Sequence, residues 1–334
     1  MPQYIDLSSA EKNELLFRAS ASTTISPILL EKDYWVSWLL NLIFQMDESK
    51  DMIFKGGTSL SKCYGFIQRF SEDIDLTIDK SIYSEDTENT TLSGKKFEKL
   101  LESNDAKAIH FVQNVFRERL EDLIHLALKP DQKWGLSQDT AEKKNLRFFY
   151  PSIISAVDNA YVKQSVLIEI GVRGDVYPCQ DKEVKSYIEE QFPALLIEKH
   201  TKIKTLSPVR TFWEKITLLH AENNRPETKL LGDRMSRHYY DVYKLIEVGV
   251  SDLALKDMPL LTDVIANKKK YFRASWAKYE EAKPGTLKII PNETLMRSLE
   301  PDYQSMELMI FGEVPKFSEI IQSIEKFERL FNFQ

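Results

Sequence analysis

The sequence has almost none of the residues that form covalent or metal staples. Only two cysteines occur, Cys63 and Cys179, and neither belongs to a pair with metal-ligand spacing. Neither a disulfide framework nor a structural zinc site is therefore expected, and a reducing cytoplasm fits. Long apolar runs are also missing. The most apolar early stretch, from Tyr34 to Phe44, is interrupted by Ser37 and Asn41. It is shorter than the roughly 20 residues a membrane span needs, so it reads as a buried helix. The N-terminus, MPQYIDLSSAEKNELL, meets charge before any apolar segment long enough for a signal peptide. Nor is there a surplus of positive charge: the formal net charge is -6, which argues against nonspecific duplex binding while leaving room for a local basic groove. Internal repeats and low-complexity tracts are absent.

What is present describes a globular, two-part chain. Its 334 residues are 43% hydrophobic and 29% charged, more than one small core needs, with a single elaborated domain as the alternative. Ser8 and Glu11 have capping-box spacing and predict a helix over about Ser9 to Ala19. Ser26 and Pro27 open a second helix, whose Glu31, Lys32 and Asp33 read as a solvated charged edge. MIFKGG then predicts a strand stopped by Gly56 and Gly57, followed by a helix from Ser59 to about Gln68. In DIDLTID, Ile74, Leu76 and Ile78 alternate with Asp73, Asp75, Thr77 and Asp79, the period of a strand with one buried face. Residues Tyr83 to Leu92 read as loop. Lys95 to Leu128 reads as a long helical pattern with a break near Asn104. LRFFY and SVLIEIGV supply two more strands. Beyond Pro193 the balance shifts to helix: one begins at Ser207 and Pro208, RMSRHYYDVYKLIEVG forms another, and at least three more follow.

The strongest local signal is Gly56, Gly57 and Thr58, fourteen intervening residues, then Asp73, Ile74 and Asp75. Consecutive glycines let a backbone approach a ligand closely. Amides opening the next helix, with the Thr58 and Ser59 hydroxyls, suit phosphate oxygens. Two carboxylates at alternate positions of one strand can share a divalent cation. Glu169 is the candidate third acid. It interrupts VLIEIGV, where Val166, Ile168, Ile170 and Val172 would face the core and Leu167, Glu169 and Gly171 the site. A metal explains a carboxylate there, and the alternatives are a salt bridge or an exposed edge strand. For Asp73 and Asp75 the alternative is a solvated strand face.

The string FKGGTSLSKCYGFIQRFSEDIDLTID resembles the signature block of the AbiEii/AbiGii toxin family, nucleotidyltransferases of the DNA polymerase beta superfamily. EKDYWVSWLL, the Glu169 strand, EKITLLH, RHYYDVYKL and DYQSMELMIFGEVPKFSEII follow the family in order, so the likeness spans most of the chain. The resemblance implies an α/β (α+β) fold: a polymerase-beta-like core with a mixed β-sheet flanked by helices over residues 1–200, and a mostly helical C-terminal domain over 201–334. It implies that Gly56, Gly57, Thr58 and Ser59 lie at the nucleotide, and that Asp73, Asp75 and Glu169 bind Mg2+ or Mn2+. Lys215 matches the family's third motif, where a lysine faces the nucleotide phosphates. Phe212, Leu218 and Leu219 share its side of the helix, where a counter-charge would help; a lysine passing over apolar surface is the alternative.

In RMSRHYYDVYKL, Arg234, Arg237, His238 and Asp241 fall on one helical face. Arg237 and Asp241 match the family's fourth motif and are carried over as nucleotide-binding, whereas His238 replaces its first acid. An Arg237 to Asp241 helix pair contributing little is the alternative. Lys268 to Arg273, KKKYFR, could hold RNA, but reads more simply as a solvated helix face with its aromatics turned inward. By resemblance the substrate is a nucleoside triphosphate, the acceptor RNA such as tRNA, and the biological role that of a toxin with a separately encoded antitoxin. A non-catalytic nucleotide- or protein-binding module and a metal-dependent phosphodiesterase are the rival readings.

Overall fold

The computed structural model describes residues 1–23, 25–82, 94–154, 163–229 and 231–333. The expected loop from Tyr83 to Leu92 lies outside them. The chain divides into two compact units, one comprising Met1–Cys63 with Ser71–Thr205, the other Tyr64–Phe70 with Leu206–Gln334.

The first unit is built on a mixed sheet. Its strands are β1 (Met52–Lys55), β2 (Ile74–Ile78), β3 (Gly135–Gln138), β4 (Leu146–Phe149), β5 (Val166–Gly171), β6 (Cys179–Lys182) and β7 (Ile203–Leu206), in the order β3-β4-β5-β2-β1-β7-β6. β2 runs antiparallel to β1 and parallel to β5, while β7 is parallel to β1. Helices α1 (Ser9–Thr23), α2 (Pro27–Ile43), α3 (Gly56–Lys62), α4 (Lys95–Phe111), α5 (Arg117–Ala127) and α6 (Tyr187–Gln191) belong to the same unit. α1 starts as expected, with the Ser8 amide donating to the Glu11 carboxylate at 2.8 Å and the Glu11 amide to the Ser8 hydroxyl at 3.3 Å. The irregularity in the long helical run falls at Val112–Phe116, a wider π-type turn, not near Asn104.

The period-two pattern of the strands sets the core. Ile74, Leu76, Ile78, Ile168, Ile170, Phe54, Leu146 and Phe148 are all buried. Over them lies α2, where Trp35 stacks on Tyr150 at 5.7 Å and Trp38 on Phe148 at 6.0 Å. β5 is interior to the sheet, so Glu169 does not sit on an edge strand.

The charged edge expected on α2 is a correction: Glu31, Lys32 and Asp33 are only 1%, 2% and 2% exposed. Each has a partner from a distant segment, which periodicity cannot reveal. Glu31 accepts from the Ile153 amide at 2.7 Å and the Ser152 hydroxyl at 2.6 Å. Lys32 donates to Glu72 at 2.5 Å and to the Lys163 carbonyl at 2.8 Å, and Asp33 pairs with Lys62 at 2.7 Å.

The second unit is helical: α7 (Pro208–Asn223), α8 (Ser236–Glu247), α9 (Val250–Leu255), α10 (Met258–Tyr271), α11 (Glu293–Glu307) and α12 (Phe317–Asn332). α7 opens as the sequence indicates, with the Ser207 hydroxyl accepting from the Val209 amide and Pro208 in the first turn. Phe212 meets Phe327 edge-on at 5.2 Å, joining α7 to α12. α3 stops at Lys62 instead of reaching Gln68, because the following residues are claimed elsewhere. The Phe70 amide donates to the Met309 carbonyl and the Phe311 amide to the Gln68 carbonyl, each at 2.7 Å. α8 starts at Ser236, and Arg234 lies outside it at φ 60°. Of the KKKYFR aromatics only Tyr271 turns inward; Phe272 is 40% exposed, with the Lys268 ammonium 4.7 Å from its ring. Among the described residues no helix is long and apolar enough to cross a membrane.

Removing one member of a buried ion pair leaves an uncompensated charge. Asp33→Ala is therefore expected to cost about 3–5 kcal/mol, and the double variant Asp33→Leu/Lys62→Met markedly less than that. Chemical denaturation of the single and double variants checks both.

Candidate functional site

The register of three strands assembles the acidic face. Asp75 of β2 stands opposite Glu169 of β5 in the parallel ladder, and opposite Lys55 of β1 in the antiparallel one. Opposed residues share a face, so Lys55, Asp75 and Glu169 line up across the side of the sheet away from Ile74, Leu76, Ile168 and Ile170. All three are half-buried. Asp73 comes just before β2, and its carbonyl accepts the Thr58 hydroxyl at 2.5 Å.

The turn at Gly56 is shaped around one of these acids. Gly56 has φ +79°, and a Cβ built on it would come within 1.9 Å of Asp75 Oδ2. Only glycine combines that backbone with that clearance. The Thr58 and Ser59 hydroxyls expected at phosphate are committed internally: the Thr58 hydroxyl also lies 2.8 Å from that of Ser71, and Ser59 donates to the Gly56 carbonyl at 2.9 Å. Both side chains are fully buried. They fix the turn, so contact with a ligand here falls to backbone groups.

Among the described residues Asp75 has no hydrogen-bond donor and no cation within 4 Å, and Lys55 has no carboxylate within the same distance. The Lys55 ammonium lies instead toward Gly174, where a Cβ would come within 3.0 Å of both its Nζ and the Thr77 hydroxyl. Two carboxylates placed side by side offer the hard oxygen donors that suit Mg2+ or Mn2+, and Asp75 has no protein cation to compete with one. A complete three-carboxylate cage is not preformed: among the described residues no three His, Cys, Asp or Glu side chains are gathered as a metal site. A cavity of about 320 Å3 opens elsewhere in this unit, lined by Trp38, Asn41, Glu189, Glu198 and His200 among others, and none of the acidic-face residues borders it.

The second cluster lies wholly within the helical unit. Asp241 of α8 is fully buried and held by Arg69 through two hydrogen bonds, Nε to Oδ1 at 2.7 Å and Nη2 to Oδ2 at 2.8 Å. Lys215 of α7 reaches the same carboxylate at 2.9 Å and His238 Nδ1 at 3.2 Å. The counter-charge wanted for Lys215 is thus Asp241. The Arg237 to Asp241 helix pair does not form, because Asp241 turns inward to Arg69 and Lys215. Arg69 escaped the sequence reading; its only signal was an arginine just ahead of Glu72 and Asp73. Burial opposes the Asp241 charge, but Arg69 and Lys215 outweigh it and hold the carboxyl far below the usual carboxylate range. Burial, helped by Lys215 and Arg237, pushes His238 well below the usual imidazole range, so the ring is neutral. Burial likewise lowers Lys215, against the pull of Asp241.

A mixed sheet carrying paired acids next to a glycine turn, with a helical C-terminal region, defines the chain as a nucleotidyltransferase of polymerase-beta-like fold. The protein belongs to the family described as nucleotidyl transferase AbiEii toxin, Type IV TA system, which it matches over residues 38–332. Among solved structures it is similar in fold to MenT4, the nucleotidyltransferase toxin Rv2826c from Mycobacterium tuberculosis H37Rv. The TM-score is 0.55 with 14% sequence identity, covering 98% of this chain and 90% of that one. No curated protein matches.

Gly56→Ala is expected to lose roughly 1–2 kcal/mol from its left-handed backbone alone, more once the added methyl displaces Asp75, as thermal unfolding would register. Asp241→Asn is expected to cost about 3–5 kcal/mol at neutral pH, since it leaves Arg69 and Lys215 uncompensated. The sign with pH follows from the lowered carboxyl. Its contribution is fully present above the unfolded value of about 4 and is lost as pH falls toward the folded one. Denaturation at pH 7 and pH 3 should show the gap between variant and wild type narrowing in acid.

Proposed function

We propose that this chain transfers a nucleoside monophosphate from a nucleoside triphosphate to an acceptor hydroxyl on RNA, such as a tRNA end. The observation that carries this reading is Asp75, set beside Glu169 over a glycine turn and without a protein cation. Asp73, Asp75 and Glu169 would hold Mg2+ or Mn2+, which supplies positive charge against that developing on the phosphates. Gly56 and Gly57, with the Thr58 and Ser59 backbone, would let a phosphate approach closely. Glu169 would take the proton of the acceptor hydroxyl. The acceptor oxygen then bonds to the α-phosphorus, the bond from that phosphorus to the bridging oxygen breaks, and pyrophosphate leaves with the electron pair. Lys215 and Arg237 would offset phosphate charge, with Asp241 acting through Lys215.

In the cell we infer a toxin role, in a toxin-antitoxin or abortive-infection system in the cytoplasm, with a separately encoded antitoxin that need not touch this protein. Family membership supports that reading.

Purified protein incubated with each radiolabelled nucleoside triphosphate, Mg2+ and a cell extract is expected to label an RNA band. Asp73→Ala and Asp75→Ala should each reduce labelling to background while keeping the wild-type circular dichroism spectrum. Undiminished labelling in either variant would remove that residue's role. RNA shortening in place of extension would favour a phosphodiesterase, and tight nucleotide binding with no labelled acceptor would favour a binding module.

A further inference from the structure

The helical unit holds a charged cluster of its own, Arg69, Lys215, His238 and Asp241, and its charges do not cancel. Two cations, Arg69 and Lys215, share the single negative charge of Asp241, whose two oxygens are already occupied by Arg69. The remaining contact of Lys215 is His238 Nδ1. A ring nitrogen facing an ammonium can only accept from it, so His238 carries its proton on Nε2 and contributes no charge. Lys215, Arg237, Asp241 and Arg69 are the charged groups acting on that ring, and three of the four are cations. An ammonium has three N–H donors. Asp241 and His238 take two, and among the described residues nothing takes the third. Only 9% of the Lys215 side chain is exposed, so water screens this excess charge poorly.

We propose that His238 is a positioning residue for Lys215: it fixes the ammonium by accepting one hydrogen bond and, being neutral, leaves the charge available to a phosphate oxyanion. An acid at this position would fix the ammonium equally well. It would also offset that charge, taking one unit of positive charge out of a cluster in which cations outnumber anions. The histidine therefore trades charge balance for anion affinity. This inference rests on the nucleotidyltransferase reading for its biological meaning, but not for its test. The oxyanion belongs either to the triphosphate or to the RNA backbone, and the two sources separate experimentally.

Equilibrium binding of tripolyphosphate to the full chain, without metal or acceptor, is measured by calorimetry for wild type, His238→Gln, His238→Glu and His238→Leu, each with its thermal midpoint. We expect His238→Glu to bind at least tenfold more weakly than wild type with an unchanged or higher midpoint. His238→Leu should also weaken binding, and His238→Gln, a neutral acceptor, should restore most of that loss. If tripolyphosphate affinity holds in His238→Glu but KM for RNA rises in the labelling assay, the oxyanion is the acceptor's backbone phosphate. Undiminished affinity and KM in His238→Glu, or midpoints that shift while affinity does not, would overturn the proposal. So would a wild type that binds no tripolyphosphate and whose KM for RNA is insensitive to His238. A wild type that binds tripolyphosphate yet labels nothing would overturn the nucleotidyltransferase reading and leave the role of His238 standing.

Discussion

The parallel register of β2 against β5 is the constraint on which the acidic face depends. It puts Asp75 and Glu169 on neighbouring strands, a spacing at which like charges repel. A slip of one residue would turn the side chains of β2 over, putting Asp75 in the core in place of Ile74, Leu76 and Ile78. The apolar face therefore enforces the acidic one. Elsewhere the buried charges have close partners: Glu31 accepts from an amide and a hydroxyl, and Lys32, Asp33 and Asp241 are ion-paired. Against that background Asp75 has no cation nearby among the described residues, while Lys55 beside it in register reaches toward Gly174 instead.

α2 makes that arrangement rigid. Its Lys32 bonds Glu72, the residue before Asp73, and its Asp33 bonds Lys62, the last residue of α3. Both limbs of the turn from β1 through α3 to β2 are thereby tied to one helix under the sheet. Each tie is a buried ion pair, which contributes little net stability but is sensitive to geometry. Thr58 adds a third, binding the start of α3 to the Asp73 carbonyl. The glycine turn and the aspartates are thus held as one object.

Much of this was legible in the sequence, and the reasons are specific. Alternation in DIDLTID and VLIEIGV is a local signal of period two, and it correctly sorted Asp75 and Glu169 from the core residues. Ser8 with Glu11, and Ser207 with Pro208, are equally local. The charged triplet of α2 is not legible because periodicity reports which face a residue occupies, not whether Lys62 will meet Asp33 there, or Glu72 meet Lys32 from forty positions away. β3 and β6 carry no apolar alternation, since Leu136 is the one buried residue between them. Arg69 was invisible for the same reason as the α2 partners: its meaning comes from Asp241, 172 residues later.

Arg69 also explains the length of the signature motif. Fourteen residues separate Thr58 from Asp73, far more than a helix of seven residues and a tight turn require. The surplus is the stretch Tyr64–Phe70, which belongs to the helical unit. It pairs with the backbone of Met309 and Phe311, and through Arg69 it supplies the main partner of Asp241. Without Arg69, Asp241 would have Lys215 alone, the cluster would be neutral, and the ammonium would have less reason to seek an oxyanion. The spacing that looks like a linker between two halves of a motif is a structural element in its own right. It gives the helical unit the excess positive charge for which the proposed chemistry has a use.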